Sequence, residues 1–136
     1  LHRGLRMVVT KGTAAGVFAG FPVEVSGKTG TAQVFGRNPN GSPKDDTSWF
    51  AGYGPTADPQ YAVVMMVSQG GFGASTSGLG VRNIFETLFG VTGGRVDPEK
   101  AIFPNGVPTT IAKVDLKKVA AKVDLTKVNG GGVKKK

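Results

Sequence analysis

Residues 26–35 read Ser-Gly-Lys-Thr-Gly-Thr-Ala-Gln-Val-Phe, and the Lys28-Thr29 pair behind Gly27 could serve either of two chemistries. In one, the N–H groups of a glycine-rich loop cradle a phosphate, the ammonium reaches its outer oxygens and the hydroxyl meets a magnesium ion. In the other, the ammonium is a fixed cation beside an acyl donor, and neighbouring hydroxyls pass protons or bind a carboxylate.

The phosphate reading fails in three places. A phosphate loop needs a glycine five positions ahead of Gly27, where Pro22 stands. It needs a helix from the lysine onward, whereas Thr-Gly-Thr-Ala-Gln-Val-Phe favours extended backbone. The strongly apolar run ends in Ser68-Gln69, where a metal-binding Asp is wanted. The later stretch Gly71-Phe-Gly-Ala-Ser-Thr falls short of a dinucleotide fingerprint as well, because Thr76 occupies its third glycine position and no acidic residue follows at the required distance.

The acyl-transfer reading has more behind it, since Lys-Thr-Gly is a motif of serine enzymes that react with β-lactams. On a strand edging a cleft, Lys28 would project its charge into the site. Gly30 would let a substrate backbone lie against the strand. Thr31 would offer an N–H to a developing oxyanion and a hydroxyl to a carboxylate. Against this stands the plain reading of three letters, a surface turn with a solvated lysine.

The elements around the motif follow from periodicity. Leu1, Leu5, Val8 and Val9 have helical spacing and stop at Gly12, which predicts a helix leading into a crossing loop. Residues 21–36 alternate apolar and polar from Val23, start at Pro22 and stop at Gly36, which predicts a strand near an edge. A polar loop, Arg37 to Asp46, is rich in turn residues. Thr-Ser-Trp-Phe-Ala-Gly-Tyr-Gly-Pro and Gln-Tyr-Ala-Val-Val-Met-Met-Val-Ser-Gln, parted by Thr-Ala-Asp-Pro, predict an antiparallel hairpin. The second run, apolar on both faces from Tyr61 to Val67, reads as a central strand. Residues 69–78 read as a flexible connection. Leu79, Ile84, Phe85, Leu88 and Phe89 then form one helical stripe closed by Gly90. The expected fold class is α+β: an antiparallel sheet of about three strands with flanking helices, followed by a flexible basic tail.

In this order and spacing, Ser-Gly-Lys-Thr-Gly-Thr-Ala-Gln-Val, Ser-Trp-Phe-Ala-Gly-Tyr-Gly-Pro, Tyr-Ala-Val-Val-Met-Met-Val, a Gly-rich link and a helix resemble the end of a penicillin-binding protein. More narrowly they resemble the class B transpeptidases that cross-link peptidoglycan, and the preceding Leu-His-Arg-Gly-Leu-Arg-Met-Val-Val-Thr-Lys-Gly-Thr-Ala is similar to the segment these proteins carry before that strand. The resemblance covers roughly residues 1–92 and implies a fragment of the penicillin-binding/serine β-lactamase-like transpeptidase fold. The Gly-Thr-Ala-Gln continuation and the Trp-Phe-Ala-Gly-Tyr-Gly-Pro strand look more like the synthases than the β-lactamases. It implies that Lys28 acts as cation and proton relay, that the Thr31 N–H forms half of an oxyanion hole, and that Thr29, Gly30 and Thr31 bind substrate. The carboxylate would belong to a D-Ala-D-Ala stem peptide or to penicillin. No cofactor or metal is implied. Trp49, Phe50 and Tyr53 are open between packing and substrate contact. The implied setting is the extracytoplasmic face of a bacterial membrane, with a parent anchored by an N-terminal segment outside this chain, which opens at Leu1 rather than Met.

The sequence departs from that pattern where the nucleophile should be. The residues three positions after Ser26, Ser42, Ser48, Ser68, Ser75 and Ser77 do not include a lysine, and the residues two positions after them do not include an asparagine. His2 is the sole histidine and reads as a surface residue, so no Ser-His-Asp triad can form. An unactivated serine is a weak nucleophile. The expectation is a piece carrying one wall of the cleft, inactive alone and completed by the missing N-terminal part of the transpeptidase domain. The alternative is a binding or sensor module that recognises β-lactam or stem peptide without turnover.

Composition bounds the rest. The 136 residues hold no cysteine, which removes disulfides and cysteine metal sites. No apolar run approaches the roughly 18 residues of a membrane span. Of the net charge of +8, residues 113–136 supply +6 through eight Lys and two Asp. The body is nearly neutral and its aromatic residues fall in predicted strands, so a nucleic-acid partner is disfavoured. Residues 93–136, with Lys-Val-Asp-Leu occurring twice, read as a mostly mobile, Lys-rich appendage. That tail is either a solvated end or a polycationic arm for an anionic envelope or membrane surface.

Overall fold

A computed structural model of the protein describes residues 1–106. Helix α1 (His2–Thr10) turns Val9 fully inward, with Leu5 and Val8 half-buried beside it. Its last turn closes where Lys11 N and Gly12 N both donate to Met7 O at 2.9 Å. The chain then crosses behind the sheet, burying Ala14, Phe18, Val23 and Val25, and enters β1 (Ser26–Ala32). Arg6 fixes that crossing: Nη1 donates to Val25 O at 3.1 Å, and Nη2 bonds Glu24 Oε1 at the same distance.

β1 pairs antiparallel with β2 (Thr47–Gly54), and β2 pairs antiparallel with β3 (Tyr61–Val67). The sheet order is β1-β2-β3. The middle position therefore belongs to β2, not to the run of residues 61–67 that its two apolar faces suggested. On β3, Tyr61, Val63, Met65 and Val67 are half-buried, whereas Ala62, Val64 and Met66 face outward and are exposed. Apolar character on both faces marked a strand whose outer face and outer edge meet no described residue.

The inner face of the sheet is packed by aromatic rings. Phe50 of β2 is 1% exposed and stacks on Phe18 with centroids 5.6 Å apart. Helix α2 (Leu79–Leu88) lies beneath with Val81 and Phe85 fully buried. Phe85 stacks on Phe89 at 5.3 Å and Phe89 on Phe103 at 5.4 Å. The stripe expected on this helix is partly rotated: Phe85 and Phe89 face the core, but Leu79 and Ile84 are exposed and Val81 takes the inward place. Positions 81, 85 and 89 repeat at one-turn spacing, so they form the helix's true inner row.

Between β3 and α2 the chain is wound rather than loose. Residues 74–78 form a π-helical turn, Gly78 N donates to Gly73 O at 2.9 Å, and Thr76 Oγ1 donates to Gly70 O at 2.6 Å. The flexible connection expected here is thus an ordered one, because its hydroxyls and amides satisfy one another locally.

Past α2, the two-residue strands β4 (Val91–Thr92) and β5 (Arg95–Val96) make a small hairpin. Residues 93–106, read from sequence as the start of the appendage, are held to the body. Ile102 N donates to Leu88 O at 2.8 Å, Tyr61 Oη donates to Ile102 O at 2.8 Å, and Phe103 stacks on Phe89. The Lys-rich segment 113–136 lies outside the described residues.

Candidate functional site

Gly27 settles the first question about the motif. It is buried, and a Cβ added there would sit 2.6 Å from Phe50 Cζ and 2.8 Å from Ala51 O. The glycine before Lys28 makes room for a core ring, and Lys28 lies within a strand rather than at the start of a helix. A phosphate loop has neither feature.

Alternation along β1 sends its side chains to two faces. Lys28 and Gly30 share the outer face with their cross-strand partners Ala51 and Trp49. Gly30 lies against Trp49, whose Cβ would be 3.2 Å from a Cβ at position 30. Glycine at this position thus has a packing reason that spacing did not reveal: it accommodates the tryptophan of the next strand. Trp49 itself is 40% exposed.

The backbone groups of β1 alternate too, between β2 and the open edge. Glu24 O accepts Thr56 N at 2.7 Å from the β2 side. Val25 O instead accepts from Arg6, and Thr29 O accepts Lys28 Nζ at 2.6 Å. Odd-numbered residues therefore present their backbone polar groups to the edge away from β2, and the two-residue period puts the Thr31 N–H there as well. The exposed Lys28 ammonium and, by that period, the Thr31 N–H lie along a strand edge that pairs with no other strand among the described residues. Two of the three ammonium donors have no partner among the described residues.

The two hydroxyls of the motif each meet a neighbour. Thr29 Oγ1 lies 2.9 Å from Thr13 Oγ1, in the crossing segment after α1. Thr31 Oγ1 accepts from Gly73 N at 3.2 Å. Neither Thr13 nor Gly73 was singled out from the sequence, because each reaches the strand only through the tertiary fold.

Of the aromatic residues left open, Phe50 is core. Tyr53 is half-buried and its hydroxyl meets His2 Nδ1 at 2.8 Å, which accounts for the sole histidine at the surface. A cavity of about 310 Å³ lies behind β1, lined by Arg6, Val9, Phe18, Phe21, Val23 and Val25. It does not include Lys28, Thr29 or Thr31. Among the described residues there is no cluster of His, Asp or Glu that could hold a metal ion, and no helix is long and apolar enough to cross a membrane.

β1 thus turns the Lys28 side chain to one face and the Thr29 and Thr31 side chains to the other. The chain is 33% identical over 94 residues to the peptidoglycan D,D-transpeptidase MrdA of Haemophilus influenzae, an alignment covering 62% of this chain and 14% of that protein. It superposes on Pseudomonas aeruginosa PBP2, solved in complex with WCK 5153, with a TM-score of 0.60 and 30% identity over 74% of this chain and 21% of that one. The D,D-transpeptidase domain of a peptidoglycan glycosyltransferase from Eggerthella lenta gives a TM-score of 0.52 and 29% identity, covering 68% and 19%. The chain thus spans between about a seventh and a fifth of the length of these relatives. Its three-stranded sheet with flanking helices is a fragment of their fold. Residues 1–89 match the family described as the penicillin binding protein transpeptidase domain, and to that family the chain belongs.

Proposed function

We propose that this chain supplies the Lys-Thr-Gly wall of the substrate cleft in a serine D,D-transpeptidase of peptidoglycan synthesis. The observation that carries the reading is the bond from Lys28 Nζ to Thr29 O, which sets the ammonium on the edge of β1 away from β2, the edge to which the two-residue period also turns the Thr31 N–H. The donor is a stem peptide ending in D-Ala-D-Ala, and a β-lactam is its mimic. The Thr31 N–H donates to the carbonyl oxygen as it gains negative charge. Removal of one such donor typically raises a barrier by roughly 3–4 kcal/mol. The free donors of Lys28 hold a positive field at the reacting centre and relay protons between hydroxyls. Thr29 and Thr31 bind the terminal carboxylate, with Gly30 between them leaving the strand open to the peptide.

The attacking serine comes from the part of the domain that precedes these residues, since no serine here has a lysine three positions on. That part is the principal partner of this chain. The transpeptidase portion runs over residues 1–92, and the enzyme works at the extracytoplasmic face of the bacterial membrane, anchored outside this segment. The test is covalent labelling with fluorescent penicillin. The full-length protein is expected to label and its Lys28→Ala variant to label at least a hundredfold more slowly, while the 136-residue chain takes no label. Absence of label on the full-length protein would favour a non-catalytic binding or sensor module, and label on a serine of this chain would overturn the reading outright.

A further inference from the structure

We propose that Gly73 is a positioning residue: its N–H fixes the polarity of the Thr31 hydroxyl so that its proton points at the substrate carboxylate. The inference rests on the assignment of Thr31 to that carboxylate.

A threonine hydroxyl has one proton to give and two lone pairs to receive. The Gly73 N–H can only donate, so at 3.2 Å it makes Thr31 Oγ1 an acceptor. The one hydroxyl proton is left over, the side chain is exposed, and no other described group bonds it. An ionised carboxylate only accepts. With Gly73 in place, Thr31 is set as a donor before any ligand arrives, which removes the reorientation a free rotor would need.

Position 73 tolerates nothing larger than glycine, for reasons of space. Gly73 has an ordinary right-handed conformation, φ −57° and ψ −39°. A Cβ there would collide with Gly30 O and stand 2.8 Å from Trp49 O. Only without a side chain can this backbone press its N–H onto the end of β1. The turn is clamped from behind by the buried Ser48 and Ser77, whose hydroxyls meet at 2.8 Å while Ser77 N donates to Ser48 Oγ at 3.1 Å. The Gly-rich connection, taken from sequence as a mere link, therefore buttresses the site.

The experiment compares acylation of the full-length protein by benzylpenicillin and by benzylpenicillin methyl ester, which differ only in the carboxylate. Glycolic acid placed at position 73 replaces the amide by an ester, which removes the N–H and weakens Phe72 O as an acceptor from Ser75 Oγ and Thr76 N; that second change acts equally on both compounds. Gly73→Ala is the coarser second variant, with thermal unfolding measured alongside. Expected is a fall of up to about tenfold in the rate with the free acid, the scale of one hydrogen bond between neutral groups, and an unchanged rate with the methyl ester. Equal losses for both compounds, or no loss for either, would overturn the positioning role. Failure of the unaltered full-length protein to be acylated by benzylpenicillin would instead remove the transpeptidase reading, and this inference with it.

Discussion

The ring of Phe50 occupies the space that a side chain on Gly27 would need, with Cζ 2.6 Å from where that Cβ would stand. Phe50 is also within 2.9 Å of a Cβ built on Gly52, so two glycines of adjacent strands flank one buried ring. The residue before Lys28 is thereby fixed by packing, and the position of Lys28 follows from the core. Gly27→Ala is expected to destabilise the chain by roughly 1–3 kcal/mol through overpacking. Urea unfolding should show a lowered midpoint at unchanged slope. An unaltered midpoint would mean that the ring moves aside freely.

The Ser48–Ser77 pair makes a second, separable prediction. Ser48→Ala leaves Ser77 N and its hydroxyl buried without their partner, at a cost of about 1–3 kcal/mol. Amide hydrogen exchange should quicken at residues 73–78 more than in β2. Uniform acceleration along the whole chain would show that the pair supports global stability and nothing local.

How much of this was legible beforehand differed by element. The helix before the motif follows from its spacing, and the strands at residues 47–54 and 61–67 follow from two apolar runs joined by a short turn. The order of strands did not follow. Residues 61–67 carry apolar side chains on both faces, which reads as a central strand, whereas among the described residues their outer face is uncovered. The motif residues Lys28 to Thr31 were legible because types and spacing suffice to suggest a cation and hydroxyls. Thr13 and Gly73 were not, because their contacts to Thr29 and Thr31 join residues 16 and 42 positions apart. No local pattern encodes such contacts. A glycine in a glycine-rich stretch gives no sign that it presses on another strand.

The outer sheet face offers a further test. Val64 is 65% exposed, Met66 52% and Trp49 40%, three neighbouring apolar groups on paired strands. Changing Val64 and Met66 together to lysine should raise the soluble yield of the isolated chain, with a stability change within about 0.5 kcal/mol, as for ordinary surface substitutions. In the full-length protein the same pair should instead destabilise by several kcal/mol if that face is covered there. Equal effects in both settings would show that the face stays open.

Lys28 is exposed and bonds only Thr29 O among the described residues, so its replacement should separate chemistry from folding. Lys28→Met is expected to leave the thermal midpoint within about a degree, in keeping with the small cost of a surface change. In the full-length protein it should slow penicillin acylation at least a hundredfold. Parallel losses of stability and acylation would assign the lysine to structure.

The most direct test is the structure of the full-length protein acylated by penicillin. Thr31 N is expected within about 3 Å of the β-lactam carbonyl oxygen, with the drug carboxylate on the Thr29 and Thr31 hydroxyls. An acyl carbonyl oxygen held elsewhere, with the outer edge of β1 facing solvent, would contradict this assignment.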